Sequence, residues 1–107
     1  MFHILNRPSE VRHILIVGTC KIEIHIPGVN SLKAKRHVLE GIKVRVRSKF
    51  NVSLAEVDKQ DIHQRATIAL ACVAATRRYA NQILTRAIHL IEKNPDVLIV
   101  DYEIEML

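Results

Sequence analysis

Two short stretches concentrate the side chains that can do chemistry. EVDKQDIHQRA, residues 56–66, gathers Glu56, Asp58, Gln60, Asp61, Gln64 and Arg65. Carboxylates grouped in this way can hold a divalent cation or divide the roles of acid and base. The same residues can instead satisfy their own turn and pair Arg65 with a neighbouring carboxylate, which is the commoner fate of such a loop and the expected one here. The second stretch, PGVNSLKAKR, residues 27–36, runs from a turn into Lys33, Lys35 and Arg36. If a helix starts at its centre, free backbone amides, helix dipole and three cations converge on one spot, which suits phosphate or another anion.

Other reaction chemistries find no support. The six histidines (His3, His13, His25, His37, His63 and His89) show neither HxxxH nor HExxH spacing, so no metal site is expected. Cys20 and Cys72 lie inside apolar, strand-like runs and read as buried free thiols of a reducing, cytoplasmic setting. Neither is placed for nucleophilic work, no Walker-type GK[ST] is present, and no cofactor or enzymatic activity is expected.

The charge balance points to binding. The chain of 107 residues carries a net +5, and Ser31 to Phe50 alone holds seven cations against the single acid Glu40. A surplus confined to one element is a surface suited to a polyanion, and RNA is the leading candidate. The length makes one domain with one core, and with only four aromatic residues that core must be aliphatic. No apolar run is long enough to span a bilayer, and the amino terminus lacks the pattern of a secretory signal.

These residues need elements to position them. Residues 1–12 read as an extension ahead of a single domain at 13–107, because Asn6, Pro8, Ser9 and Glu10 break any periodicity. From His13 the chain alternates: Ile14, Ile16, Gly18, Cys20, Ile22, Ile24 and Ile26 face one way, Thr19, Lys21, Glu23 and His25 the other. Pro27-Gly28 ends that strand, and Asn30 or Ser31 can cap the basic helix. At 100° per residue, Leu32, Leu39, Ile42, Val46 and Phe50 form its apolar stripe, with Lys33, Arg36, Lys43 and Arg47 together on the adjoining flank. Lys35 falls on the apolar side, from which it would have to snorkel to water or lean toward a ligand.

Strands at 51–58 and 64–75 follow, joined by the polar loop. Thr76 then caps a helix with Ala80, Ile83, Leu84, Ala87, Ile88 and Ile91 inward, and Asn94-Pro95 stops it. A last strand is expected to point Leu98, Val100, Tyr102, Ile104 and Met106 inward and Asp101, Glu103 and Glu105 outward. The order β-α-β-β-α-β in so short a chain predicts an α+β, ferredoxin-like fold: a four-stranded antiparallel sheet with two helices on one face. Its uncovered face would carry no aromatic residue for stacking bases and an acidic edge, so it is not an RNA platform. The small apolar half of that face, Ala55, Val57, Ala69, Ala71 and Val73, is instead a candidate homodimer contact.

Laid out in this way, the chain resembles the bacterial YlxP-like family, a domain of unknown function, from about Ile14 to Leu107. The resemblance rests on HIPG at 25–28, SLKAKR at 31–36, KFNVSLAEVD at 49–58, QD at 60–61, QRAT at 64–67 and the terminal DYEIEML. It implies a ferredoxin-like fold, a dimer and a gene neighbourhood among translation factors, with no enzyme activity to carry over. Two departures stand out: the first dozen residues precede the usual start, and His63 stands where relatives carry a large aromatic. The expected function is a non-catalytic RNA- or ribosome-associated binding protein that uses Lys33, Lys35, Arg36, Lys43 and Arg47 of the first helix. The alternative is a homodimeric protein–protein adaptor working through the open sheet face. Neither reading calls for a membrane or a small-molecule substrate.

Overall fold

A computed structural model describes residues 15–107 of the protein. The expected extension at 1–12 and the expected strand start at His13 lie outside the described residues. The elements are β1 (Ile16–His25), α1 (Leu32–Lys49), β2 (Ser53–Asp58), β3 (Arg65–Ala74), α2 (Arg77–Glu92) and β4 (Leu98–Met106). The sheet runs β2-β3-β1-β4 with every neighbouring pair antiparallel, which is the ferredoxin-like α+β arrangement.

Side-chain alternation explains the layering. Cys20, Ile22 and Ile24 of β1, Ile26 just after it, and Ala66, Ile68, Leu70 and Cys72 of β3 are buried on one face beneath the two helices. They meet Leu39, Ile42 and Val46 of α1 and Ala80, Leu84, Ala87, Ile88 and Ile91 of α2, giving the aliphatic core that the composition requires. Both helices begin on the expected caps: Ser31 Oγ accepts from the Ala34 amide and Thr76 Oγ1 from the Tyr79 amide, each at 3.1 Å. Among the described residues no helix is long and apolar enough to cross a membrane.

Two bulges correct the expected alternation. Asp101 pairs with Glu23 but Ile99 pairs with Ile24, which leaves Val100 as an extra residue in β4. Beyond this bulge the strand changes phase: Ile99 turns inward, while Leu98 pairs with His25 on the open face. Leu98 and Val100 are therefore 60% and 54% exposed rather than inward, and Tyr102, on the helix side, stays half exposed because β4 is an edge strand. Val57 is the matching extra residue of β2, between Glu56, which pairs with Ile68, and Asp58, which pairs with Thr67.

Candidate functional site

The two stretches singled out in the sequence meet at one end of the molecule. Lys35, in the first turns of α1, is 1% exposed and drives its ammonium under the β2–β3 loop. Its Nζ donates to the carbonyls of Lys59 at 2.7 Å and Ile62 at 2.6 Å, and lies 2.7 Å from Glu56 Oε2. The contact with Glu56 is one of charge: its angles fall outside hydrogen-bond geometry, and that oxygen has no other partner. Gln64 closes the same junction from above, with Nε2 donating to the carbonyls of Val29 at 3.1 Å and Pro27 at 3.4 Å.

This arrangement corrects two expectations. Lys35 does not join an anion-binding surface, because its charge is spent inside the fold. Arg65 does not pair with Glu56 or Asp58: it is exposed and makes no ion pair among the described residues, whereas Glu56 faces α1 and takes Lys35 instead. The loop does satisfy its own backbone, as expected. Asp58 Oδ1 accepts from the Lys59 amide at 2.8 Å, and Lys59 sits at φ 62°, the left-handed region a lysine adopts at a cost of about 1 kcal/mol.

That backbone turn lets Lys59 act on both faces of the sheet. Its carbonyl points inward to Lys35, and its side chain crosses the open face to Glu23 Oε2 at 3.0 Å and Thr67 Oγ1 at 2.9 Å. Thr67 in turn donates to Glu23 Oε2 at 2.7 Å, so Thr67 is buried although its strand face is open. The Thr67 hydroxyl first, and then Lys59, hold the Glu23 carboxyl below its ordinary value. Nothing local to Lys59 or Gln64 in the sequence marks either as a tie. The available signal was Lys35 itself: a lysine in line with Leu39, Ile42 and Val46 needs acceptors from across the core.

The basic flank of α1 lies outside this junction. Lys33, Arg36 and Arg47 are exposed and Lys43 is half-buried, as the helical projection predicts. Glu40 projects among them, but no acid lies within ion-pair distance of any of the four among the described residues, where the ion pairs are Lys35–Glu56 and Lys59–Glu23. Arg36 and Lys43 also line a shallow groove of about 270 Å³ floored by Leu39, Leu54 and Ile68, which sets the flank beside the edge strand β2. Asp58, Gln60 and Asp61 are exposed at the loop, and no group of three or more His, Cys, Asp or Glu suited to a metal comes together among the described residues.

On the open face, Ala55 pairs with Ala69 and Ser53 with Ala71, and Val73 is 68% exposed at the end of β3. Asp101, Glu103 and Glu105 line the opposite edge. Beneath the sheet, Cys20 and Cys72 are free and buried. Burial, followed by the nearby Glu103 charge, pushes the Cys20 thiol up to about 11, and burial raises Cys72 as well, so neither is an activated nucleophile.

Comparison with known proteins supplies a family and no activity. The chain is 37% identical over 82 residues to the uncharacterized protein YlxP of Bacillus subtilis (strain 168), covering 77% of this chain and 89% of that protein. Among solved structures it is similar to the de novo designed protein Foldit4, with a TM-score of 0.53 over 87% of this chain and 96% of that one; at 11% identity this likeness speaks to fold alone. The family model described as Protein of unknown function (DUF503) matches residues 17–104, and the chain belongs to that YlxP-like family.

Proposed function

We propose that the protein is a non-catalytic RNA-binding protein, associated with RNA or the ribosome, whose contact surface is the outer flank of α1. The observation that carries this reading is the set Lys33, Arg36, Lys43 and Arg47, which shares one flank with no acid at ion-pair distance among the described residues. Cations on a helix that make no ion pair among the described residues are available to phosphates, and helix geometry fixes their spacing in advance. The sheet face does not compete for this role, since Asp101, Glu103 and Glu105 repel phosphate there. Two buried free thiols fit a cytoplasmic setting.

Binding of the full chain to RNA at increasing salt tests the reading. Affinity should fall by about 0.7–0.9 log units per log unit of salt for each phosphate neutralised. Reversing Arg36 and Arg47 to Glu should weaken binding equally across RNA sequences, because phosphate contacts carry no sequence information. Reversing Asp101 and Glu103 should leave binding unchanged or strengthen it. Helix variants that bind RNA as well as the parent protein would refute the reading.

One observation favours a second reading, a homodimeric adaptor. Val73 and Val57, 68% and 48% exposed, flank the small residues Ala55, Ala69 and Ala71 on the open face. Such a patch can be covered by a second copy. A monomer mass in light scattering at high micromolar concentration would remove it.

A further inference from the structure

A groove of about 760 Å³ opens at the head of α1, between the β1–α1 turn and the α2–β4 loop. Its accessible apolar walls include Pro27, Ala34 and Val38, and Lys33, His37 and Asp96 are among its polar groups. Volume and lining fall in the range of ligand sites, which pair an apolar cavity of roughly 300–1,000 Å³ with a few polar groups.

Lys33 belongs both to this rim and to the basic flank, standing between Arg36 on one side of the helix and His37 on the other. A polyanion that follows the flank by its phosphates is therefore led to the mouth of the groove. Among the described residues the exposed tyrosines, Tyr79 on α2 and Tyr102 on β4, lie off the flank, and the groups near it on which a base can stack are the Arg36 and Arg47 guanidiniums and the His37 ring at the rim of the groove. An unpaired base near the cations has this cavity as its apolar berth, with a donor and an acceptor at the rim for its polar edge.

We infer that the groove receives one unpaired nucleotide of the bound RNA, with the base over Ala34 and Val38 and its phosphate at Lys33. This rests on the RNA reading above and narrows it to RNA with single-stranded segments. A fully paired duplex offers the flank its phosphates but has no base free to enter.

Gly28 supplies a clean probe. It lines the groove, its backbone is not in the left-handed region, and a Cβ there meets no atom within 4 Å. Gly28→Leu should fill the mouth and leave the fold intact, and Gly28→Ala controls for the altered turn without filling it. With the full chain, a single-stranded RNA should bind about tenfold more tightly than a blunt duplex of equal phosphate number. Gly28→Leu should abolish that preference with an unchanged melting temperature, Gly28→Ala should keep it, and Lys33→Ala should weaken both ligands. Equal binding of the two RNAs, or a preference that survives Gly28→Leu, overturns the inference while the RNA reading stands. Competition at the groove by poly-glutamate but not by single-stranded RNA would assign it to a protein partner and also overturn it. Failure of both RNAs to bind removes the function reading and the groove with it.

Discussion

Lys35 and Glu56 face each other across the α1–β2 contact, Nζ to Oε2 at 2.7 Å, with side chains 1% and 19% exposed. A buried ammonium is tolerable only when it is paired and hydrogen-bonded, and here the Glu56 carboxylate supplies the counter-charge while the Lys59 and Ile62 carbonyls accept its hydrogen bonds. The pair therefore joins a helix, a strand and a loop. Lys35→Met should destabilise the protein by about 3 kcal/mol in denaturant unfolding, since it leaves Glu56 and two carbonyls without their counter-charge. Hydrogen exchange should quicken at residues 59–62. Combining Lys35→Met with Glu56→Leu should recover part of the loss, because two apolar groups replace a costly ion pair.

Arg65 gives the contrasting case. It is exposed and makes no ion pair among the described residues, so Arg65→Ala should change stability by no more than about 0.5 kcal/mol. A drop in melting temperature comparable to that of Lys35→Met would place Arg65 back among the loop's structural ties.

The difference between these two residues shows what the sequence makes legible. The helices and their caps followed from apolar periodicity and from Ser31 and Thr76, signals that lie within a few residues of the structure they cause. The exposed flank of Lys33, Arg36, Lys43 and Arg47 is equally local, because helix geometry alone places it. The Lys35 junction is not local: its two acceptors lie 24 and 27 residues away, and both are backbone atoms that no residue type announces. The bulges at Val57 and Val100 were also hidden, since an extra valine in an alternating run has the composition of an ordinary strand residue. For the same reason Leu98 read as inward.

Acid should act through Glu23. Its folded pKa is lowered from the ordinary 4.5, chiefly by the Thr67 hydroxyl and then by Lys59. A carboxylate depressed in this way contributes stability that is fully present above about pH 4.5 and is lost as pH falls through the lower, folded value. Carbon NMR of the Glu23 carboxyl should show a titration below that of a free glutamate in the parent protein. In Thr67→Val it should move back toward the ordinary value. The pH-dependent part of the stability difference between the two proteins should be complete at neutral pH and vanish in strong acid. A difference that grew on acidification would contradict this assignment.

Gly18 and Gly41 should respond oppositely to the same substitution. A Cβ at Gly18 would lie 3.1 Å from Leu84 Cδ1, 3.2 Å from Ala80 Cβ and 3.3 Å from Met106 Sδ, where α2 presses on β1. Gly18→Ala should therefore cost about 1–3 kcal/mol by overpacking. At Gly41, exposed in the middle of α1, a Cβ meets nothing within 4 Å, so Gly41→Ala should stabilise by about 0.5–1 kcal/mol through helix propensity. Thermal melts of both variants decide the point. Gly41→Ala also bears on the RNA reading, since it stiffens the helix without touching a cation: RNA affinity should hold while stability rises. A loss of affinity there would mean that the partner approaches the α1 backbone itself, closer than phosphate contacts through Lys33, Arg36, Lys43 and Arg47 require.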